Sequence, residues 1–446
     1  MDPSRVSLYQ HTGFIMREHV EDVERYTPGG YHPIDIGDIL TNRQDSYTVV
    51  HKLGHGGFST VWLVKRQRKQ MDPAGQPQVS FHALKVLRAD LGDARATHEL
   101  HVLQRLGQVG RSSHPNIIML EDSFSVSGPN GQHCCLVFPV LVLSLHSDKS
   151  WSLTPSQRYH TCQQLASAVA FLHSHDVCHG GKDQVPLTCP SCQVVLINGY
   201  APILDLTPSN IAFEIPCRRL ITESRLLELL GPIRDETLRL REGPISHSRH
   251  APRKVVASAS FSGLDPSSLA TVQIIDFGCA FLSNSPPPTL GCPVEFFPPE
   301  LLFGCSASTK SDVWQLAALV YYTSTSQYMF QVGFQILTHL VAFVVRHHGP
   351  VPAHWKGKFA WSKYGLAQHG QPVAPSPEPD WWWSNDKRPT PSLEDRLAKR
   401  ASYLSAAQRD ELARLLRDMV AWEPDRRISA TEADRRLKAS VFSSLG

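Results

Sequence analysis

The chain has 446 residues, room for one two-part domain with tails or for two or three compact units. A formal charge of +3 argues for neither nucleic acid nor a membrane surface as partner, and a hydrophobic fraction of 41% is ordinary for a soluble protein. Residues 1–20 lack the basic start and apolar stretch of a secretory signal. Val332–Val345 is too short and too interrupted to span a bilayer, and ten scattered cysteines fit reduced thiols. The expectation is a soluble monomer in the cytoplasm, the nucleus or both.

Residues 1–46 are polar and rich in turn signals (Pro28-Gly29-Gly30, His32-Pro33), which predicts an N-terminal arm. Tyr47–Leu53 and Thr60–Lys65 cluster β-branched and aromatic residues and read as strands. The turn between them is Leu53-Gly54-His55-Gly56-Gly57-Phe58-Ser59-Thr60-Val61. After an exposed connection at 66–80, Phe81–Leu87 reads as a strand and Ala94–Leu106 has helical spacing. Cys134–Leu141 is a continuous apolar run, as expected of a buried strand. Thr154-Pro155 opens a helix to His173. Roughly Arg241–Ala270 reads as a poorly packed insertion. Residues 365–395 predict a loop with Trp381-Trp382-Trp383 as aromatic anchor, and Ala406–Met419 and Ala430–Leu437 predict closing helices.

Short motifs fall along this chain in an order suited to phosphoryl transfer, where catalysis consists mainly of positioning and of neutralising phosphate charge. Gly54 and Gly56 let backbone amides approach phosphates, where a Cβ would obstruct the turn, and Ser59 takes the place of a third glycine. Lys85, in His82-Ala83-Leu84-Lys85, is placed to meet the α- and β-phosphates of ATP, and Glu99 to orient it by an ion pair. Asp276, in Asp276-Phe277-Gly278, and Asn210 are the expected Mg²⁺ ligands. Asp205, opening Asp205-Leu206-Thr207-Pro208-Ser209-Asn210, is the expected acceptor of the attacking hydroxyl's proton. Pro298-Pro299-Glu300 and Ser311-Asp312-Val313-Trp314 follow. Singly, a glycine-rich turn is often only a hairpin and Asp-Phe-Gly only a turn. The order is what carries the reading.

Over about residues 47–440 these motifs resemble a eukaryotic-type Ser/Thr protein kinase. Tyr26-Thr27-Pro28-Gly29-Gly30-Tyr31-His32-Pro33, His51-Lys52-Leu53-Gly54-His55-Gly56 through Trp62, Gly128-Pro129-Asn130-Gly131, and a spacer between Asn210 and Asp276 resemble the fungal SR-protein kinase (SRPK)-like branch. The resemblance implies an α+β, bilobal fold: a small antiparallel β-sheet lobe with one main helix at 47–140 and a larger helical lobe at 141–442. The spacer falls at about 216–270. The resemblance also implies that His55, Gly57, Phe58, Val61, Leu53, Phe138 (gatekeeper position) and Leu141 (hinge) join Gly54, Gly56, Ser59 and Lys85 around ATP. Glu300 would pair with Arg427, and Asp312 would brace the catalytic loop. Protein substrates, Arg/Ser-rich splicing factors among them, are implied, with no direct nucleic-acid partner.

Three departures stand out. Gly180 replaces the arginine that receives an activation-loop phosphate in many kinases, so activity without that phosphorylation is expected. Thr207 replaces the lysine two residues after the catalytic aspartate, and loss of one such electrostatic contact commonly costs on the order of 10²-fold in rate. The third is an interruption: 24 residues, Gly181–Leu204, separate His179-Gly180 from Asp205. Gly181-Lys182 can be encoded with an internal GTAAG, and Leu204-Asp205 across an AG followed by AC. Removing the segment regenerates an Asp codon, which points to a retained intron in the gene. A looped-out surface insertion is the alternative. A metal site built on Cys189 and Cys192 near Cys178 and His179 has only a single C-x-x-C behind it. A pseudokinase scaffold and a small-molecule phosphotransferase remain alternative functions. The segment Thr289–Glu300 and Arg427 speak against the latter.

Overall fold

Strands that bury every second residue cover a core by pairing, and much of residues 39–138 does so. The computed structural model describes residues 8–10, 20–71, 77–108, 114–180, 206–215, 221–241, 247–287, 291–332, 336–364, 378–384 and 391–439. Strands β1 (Ile39–Thr41), β2 (Asp45–His55), β3 (Ser59–Met71), β4 (Pro77–Leu87), β5 (Asp122–Gly128) and β6 (Gly131–Phe138) form one antiparallel sheet, ordered β1-β2-β3-β4-β6-β5. Its central strands carry Trp62, Leu63, Val64, Leu84, Val86, Leu136 and Val137, all essentially inaccessible to water. Helix α1 (Gly92–Gln108) links β4 to β5. Among its described side chains, Glu99, Val102, Leu103 and Leu106 are buried, the i, i+3, i+4, i+7 spacing of one helix face.

The rest of the chain is largely helical. Strand β7 (Leu141–Ser144) leads to α2 (Pro155–Ser174). That helix starts where the sequence predicts. Thr154 Oγ1 accepts from Gln157 N at 3.2 Å while Gln157 Oε1 accepts from Thr154 N at 2.8 Å, with Pro155 in the first turn. The short β8 (Val177–Cys178) follows, and β9 (Ile211–Glu214) pairs with both β7 and β12 (Val272–Ile274). Before β12 come helix α3 (Glu223–Leu230) and the paired β10 (Asp235–Thr237) and β11 (Lys254–Val256). Strand β13 (Phe281–Leu282) pairs back onto β8. Helix α4 (Thr309–Thr325) is the centre of the helical part, buried at every position from Ser311 to Thr325. Around it lie α5 (Leu337–His348), α6 (Leu393–Arg400), α7 (Ala406–Met419) and α8 (Ala430–Leu437), the last two at their predicted bounds. Trp382 is buried as an anchor against Phe359 and Phe303, whereas Trp381 is 41% exposed. Among the described residues no helix is long and apolar enough to cross a membrane.

One expectation is corrected. Residues 247–269 are not a poorly packed insertion. Val255, Val256 and Ala257 are buried, the Asp35 carboxylate accepts from Arg253 N and Lys254 N at 3.1 and 3.2 Å, and Ala259 N donates to Lys52 O at 3.0 Å. Asp35 and Lys52 lie more than 200 residues away, so local composition carried no sign of this part of the packing. The N-terminal arm shares this core through Tyr26 and Tyr31. It is pinned by Lys52, which donates to Glu21 with both side chains buried. Tyr26 Oη donates to the same carboxylate, and the Lys52 ammonium sits 5.4 Å over the Trp62 ring.

Glu300 and Arg427 pair as expected. Arg427 Nη1 and Nη2 donate to the two carboxylate oxygens at 2.9 and 2.6 Å, both side chains wholly buried, and further donors reach Ala421 O, Lys310 O and Trp422 O. Such a pair contributes chiefly when intact, because removing one partner strands the other charge. Arg427→Met is therefore expected to lower stability by about 3–5 kcal/mol, read from urea unfolding of the full chain.

Candidate active site

Lys85 lies on β4, opposite Val61 on one side and Leu136 on the other, so its side chain leaves the middle of the sheet. Fourteen residues on, Glu99 occupies the buried face of α1. Lys85 Nζ donates to Glu99 Oε1 and Oε2 at 2.8 and 3.0 Å and to Asp276 Oδ1 at 2.9 Å. Three distant elements thus meet at one nitrogen. Burial by itself would lower the ammonium's pKa, but the charges of Asp276 and Glu99 outweigh it and hold it above the ordinary lysine value. Burial likewise pushes Asp276 upward, and the Lys85 charge overrides it, leaving the carboxyl below the usual range. Lys85 and Asp276 thus meet as ions.

Asp276 adopts a left-handed backbone, φ 65°, which an aspartate tolerates at a cost and which turns its carboxylate onto Lys85. Gly278 follows for lack of room. A Cβ there would stand 3.3 Å from both Asp276 Oδ1 and Glu99 Oε2, crowding the two carboxylates. Phe277 is fully buried, and its ring meets the edge of His179 at 4.9 Å. His179 is placed in turn by α4. Asp312 Oδ2 accepts from His179 N at 2.9 Å, and Oδ1 accepts from Gly180 N at 3.1 Å. His173 Nε2 lies 3.0 Å from Asp312 Oδ2, a partner that no sequence motif announced.

The chain re-enters the described residues at Leu206, fully buried, followed by buried Thr207 and Asn210 in a short turn ahead of β9. Antiparallel register sets Ile211 opposite Ile274, and Ile275 N donates to Asn210 O at 2.9 Å. Asn210 is thereby brought beside the residue that precedes Asp276. An ionised carboxylate and an amide oxygen are both hard oxygen donors of the kind a divalent cation takes. Asp205, Gly181–Leu204, Cys189 and Cys192 lie outside the described residues. Among the described residues no group of three His, Cys, Asp or Glu side chains is set to hold a metal.

The glycine-rich turn joins β2 to β3 at residues 56–58, with Leu53 and Val61 on its flanks packed against the main core. Gly54 is not required by the protein itself, for an added Cβ meets nothing within 4 Å and φ is not positive. The crowding expected at Gly54 therefore has no source within the folded chain. Ser59 is buried at the start of β3. Phe138 ends β6 opposite Ala83 on β4, and Leu141 begins β7 three residues later. The described residues thus gather Lys85, Glu99 and Asp276 at one point, with Asn210 adjoining and the turn, Phe138 and Leu141 on the strands around them.

Sheet, helix, ion cluster and Asp-Phe-Gly turn together are consistent with a protein-kinase-like fold. The relatives found are serine/threonine protein kinases by name. A serine/threonine-protein kinase SRPK of Physarum polycephalum is 25% identical over 331 residues, covering 72% of this chain and 69% of that protein. A serine/threonine protein kinase of Aspergillus fumigatus is 23% identical over 423 residues, 92% of this chain and 88% of the relative. SRSF protein kinase 3 of Homo sapiens is 41% identical over 132 residues, 28% of this chain and 20% of that protein. The chain therefore resembles the SRPK-type serine/threonine kinases. No family model matches it.

Asp312 supplies a test of the scaffold. Asp312→Asn replaces charge-assisted bonds to two backbone amides and is expected to cost about 1–3 kcal/mol in thermal or urea unfolding. Phosphotransfer should fall further than nucleotide binding, because the disturbed backbone leads to the catalytic loop rather than to Lys85.

Proposed function

We propose that the chain transfers the γ-phosphoryl group of ATP to serine or threonine hydroxyls of protein substrates. The observation that carries the reading is the junction of Lys85 with Glu99 and Asp276. It sets a fixed positive charge where phosphates would lie and a fixed carboxylate that would hold a divalent cation beside them. Lys85 meets the α- and β-phosphates, Glu99 orients it, and the residues from Leu53 to Val61, with Phe138 and Leu141, enclose the nucleotide between two lobes. Asp276 and Asn210 would hold Mg²⁺, whose positive charge would offset that of the phosphate oxygens. Asp205 takes the proton as the hydroxyl oxygen bonds to the γ-phosphorus and the bond to the departing ADP oxygen breaks. Asp205 reaches this position if Gly181–Leu204 is absent from the mature protein, as proposed from the codons at its ends. Sequencing cDNA across Gly180–Asp205 checks this. A message without the segment joins Asp205 to Gly180, whereas a full-length one favours the pseudokinase scaffold.

Arg/Ser-rich splicing factors are the proposed substrates. The human relative's name makes it a kinase of SRSF proteins, and the fungal and slime-mould relatives resemble this chain along most of its length. A monomer acting in the cytoplasm, the nucleus or both suits such substrates. Thr207 predicts a slow chemical step.

Lys85→Met is expected to abolish ATP-dependent phosphorylation, a loss of at least about 10²-fold, while circular dichroism shows a folded chain. Unchanged incorporation of labelled phosphate would sink the nucleotide site.

A further inference from the structure

The carbonyls of the glycine-rich turn are held by protein. Tyr31 Oη donates to Gly56 O at 2.8 Å, Arg25 Nη1 to Gly57 O at 3.3 Å, and Arg88 Nη1 to the same Gly57 O at 2.9 Å. A trans peptide is planar, with its C=O and N–H pointing in opposite directions. A bond from Tyr31 to Gly56 O therefore turns the N–H of Gly57 away from the arm. The bonds to Gly57 O do the same for the N–H of Phe58.

The arm is built to make these contacts. Gly30 N donates to Thr27 O at 2.8 Å and Tyr31 N to Arg25 O at 3.0 Å, which sets Arg25 and Tyr31 side by side. Only glycine fits between them, since a Cβ on Gly30 would lie 1.7 Å from Arg25 O. Asn130 stitches this bend to the β5–β6 hairpin. It accepts from Gly29 N at 2.7 Å and donates through Nδ2 to Tyr31 O at 2.6 Å. Ala89 N and Asp90 N, just past β4, donate to Gly30 O and Gly29 O. The buried pair Lys52–Glu21 ties the same arm to β2, the strand that runs into the turn.

The contribution is geometric rather than a matter of charge. Arg25 is paired with Asp22 and Arg88 with Asp90, so neither guanidinium brings an unbalanced positive charge to the turn. What these bonds give a glycine-rich segment is a fixed backbone. Gly54, Gly56 and Gly57 each have wide backbone freedom, and ordering them only when a ligand arrives would oppose binding. We propose that the N-terminal arm is a positioning element for nucleotide binding: Tyr31 and Arg25, with Arg88, preset the peptides whose N–H groups at Gly57 and Phe58 meet the phosphates. The proposal rests on the reading of this turn as the ATP site.

The test uses the full chain and compares Tyr31→Phe and Arg25→Met with Tyr26→Phe. Tyr31→Phe keeps the ring and loses only the hydroxyl. Tyr26 Oη bonds Glu21 within the arm and does not touch the turn, so its loss reports on packing alone. Amide hydrogen exchange of the segment 53–61 without nucleotide should quicken in Tyr31→Phe and Arg25→Met. Calorimetric Kd for Mg-ATP should rise about two- to tenfold, the loss of one neutral hydrogen bond, with KM for a peptide substrate unchanged. Tyr26→Phe should lower the thermal midpoint and leave both readouts alone. Wild-type exchange and Kd in the two turn-directed variants overturn the proposal, as does a Tyr26→Phe variant that reproduces their effect. A wild-type chain that binds no nucleotide overturns the reading of the turn instead, and the exchange difference then still decides whether the arm holds it.

Discussion

One ammonium between two carboxylates sets the geometry at the centre of this protein. Lys85 comes from the sheet, Glu99 from α1 and Asp276 from the turn after β12, so their ion pairs register three elements against one another. Each of these charges would be costly to bury alone, and together they persist because each has a counter-charge within hydrogen-bond reach. Two carboxylates and one ammonium still leave a net negative charge in a largely enclosed site. A divalent cation is the natural complement to that excess, and polyphosphate is the natural complement to the pair of charges once the cation is present.

The cluster can hold its geometry only if Asp276 is held independently of it. Its strained backbone is flanked on one side by β12, which pairs with β9 and bridges Ile117, and on the other by Phe277, buried beneath the His179 ring. His179 is fixed by Asp312 on α4, the helix buried at every position from Ser311 to Thr325. A path of short, mostly backbone-anchored contacts therefore runs from the most enclosed helix to the reactive cluster. The glycine-rich turn is closed by Gly56 N on Ser59 O and by Arg88 N on Phe58 O, and the arm's bonds to the Gly56 and Gly57 carbonyls add to that hold.

The legible part of this architecture is the part written locally. β-branched and aromatic residues announced the middle of β2, β3 and β4, Thr154-Pro155 announced the start of α2, and Lys85 with Glu99 fourteen residues on announced their ion pair, whereas the bond from Lys85 to Asp276 was not foreseen. The unreadable part depends on contacts between distant segments. Val255 and Ala257 looked like spacer because they pack in one core with Tyr26 and Tyr31 of the arm, and Val256 because it packs with Ile34, Tyr47 and Trp62. The Pro28-Gly29-Gly30-Tyr31 bend was visible as a motif but not as a contact, since nothing in its own neighbourhood says that it reaches Gly56. His173 at Asp312 is a similar case, a helix residue whose partner lies 139 positions on.

The departures at Gly180 and Thr207 gain a physical meaning from this arrangement. An arginine at position 180 would supply a cation to receive an activation-loop phosphate and so make the site's geometry conditional on modification. Here Gly180 meets Asp312 through its backbone N–H alone, and Lys85, Glu99 and Asp276 are already joined. Nothing in that set waits for a phosphate. Thr207 acts on a different quantity: it removes a positive charge from the loop that leads to Asn210 without touching the cluster that would hold the nucleotide. On the proposed function, binding and chemistry fall to separate residues. A chain with this pattern is expected to be permanently assembled for nucleotide and limited in the transfer step, where stabilisation of developing charge is what the missing lysine would have supplied.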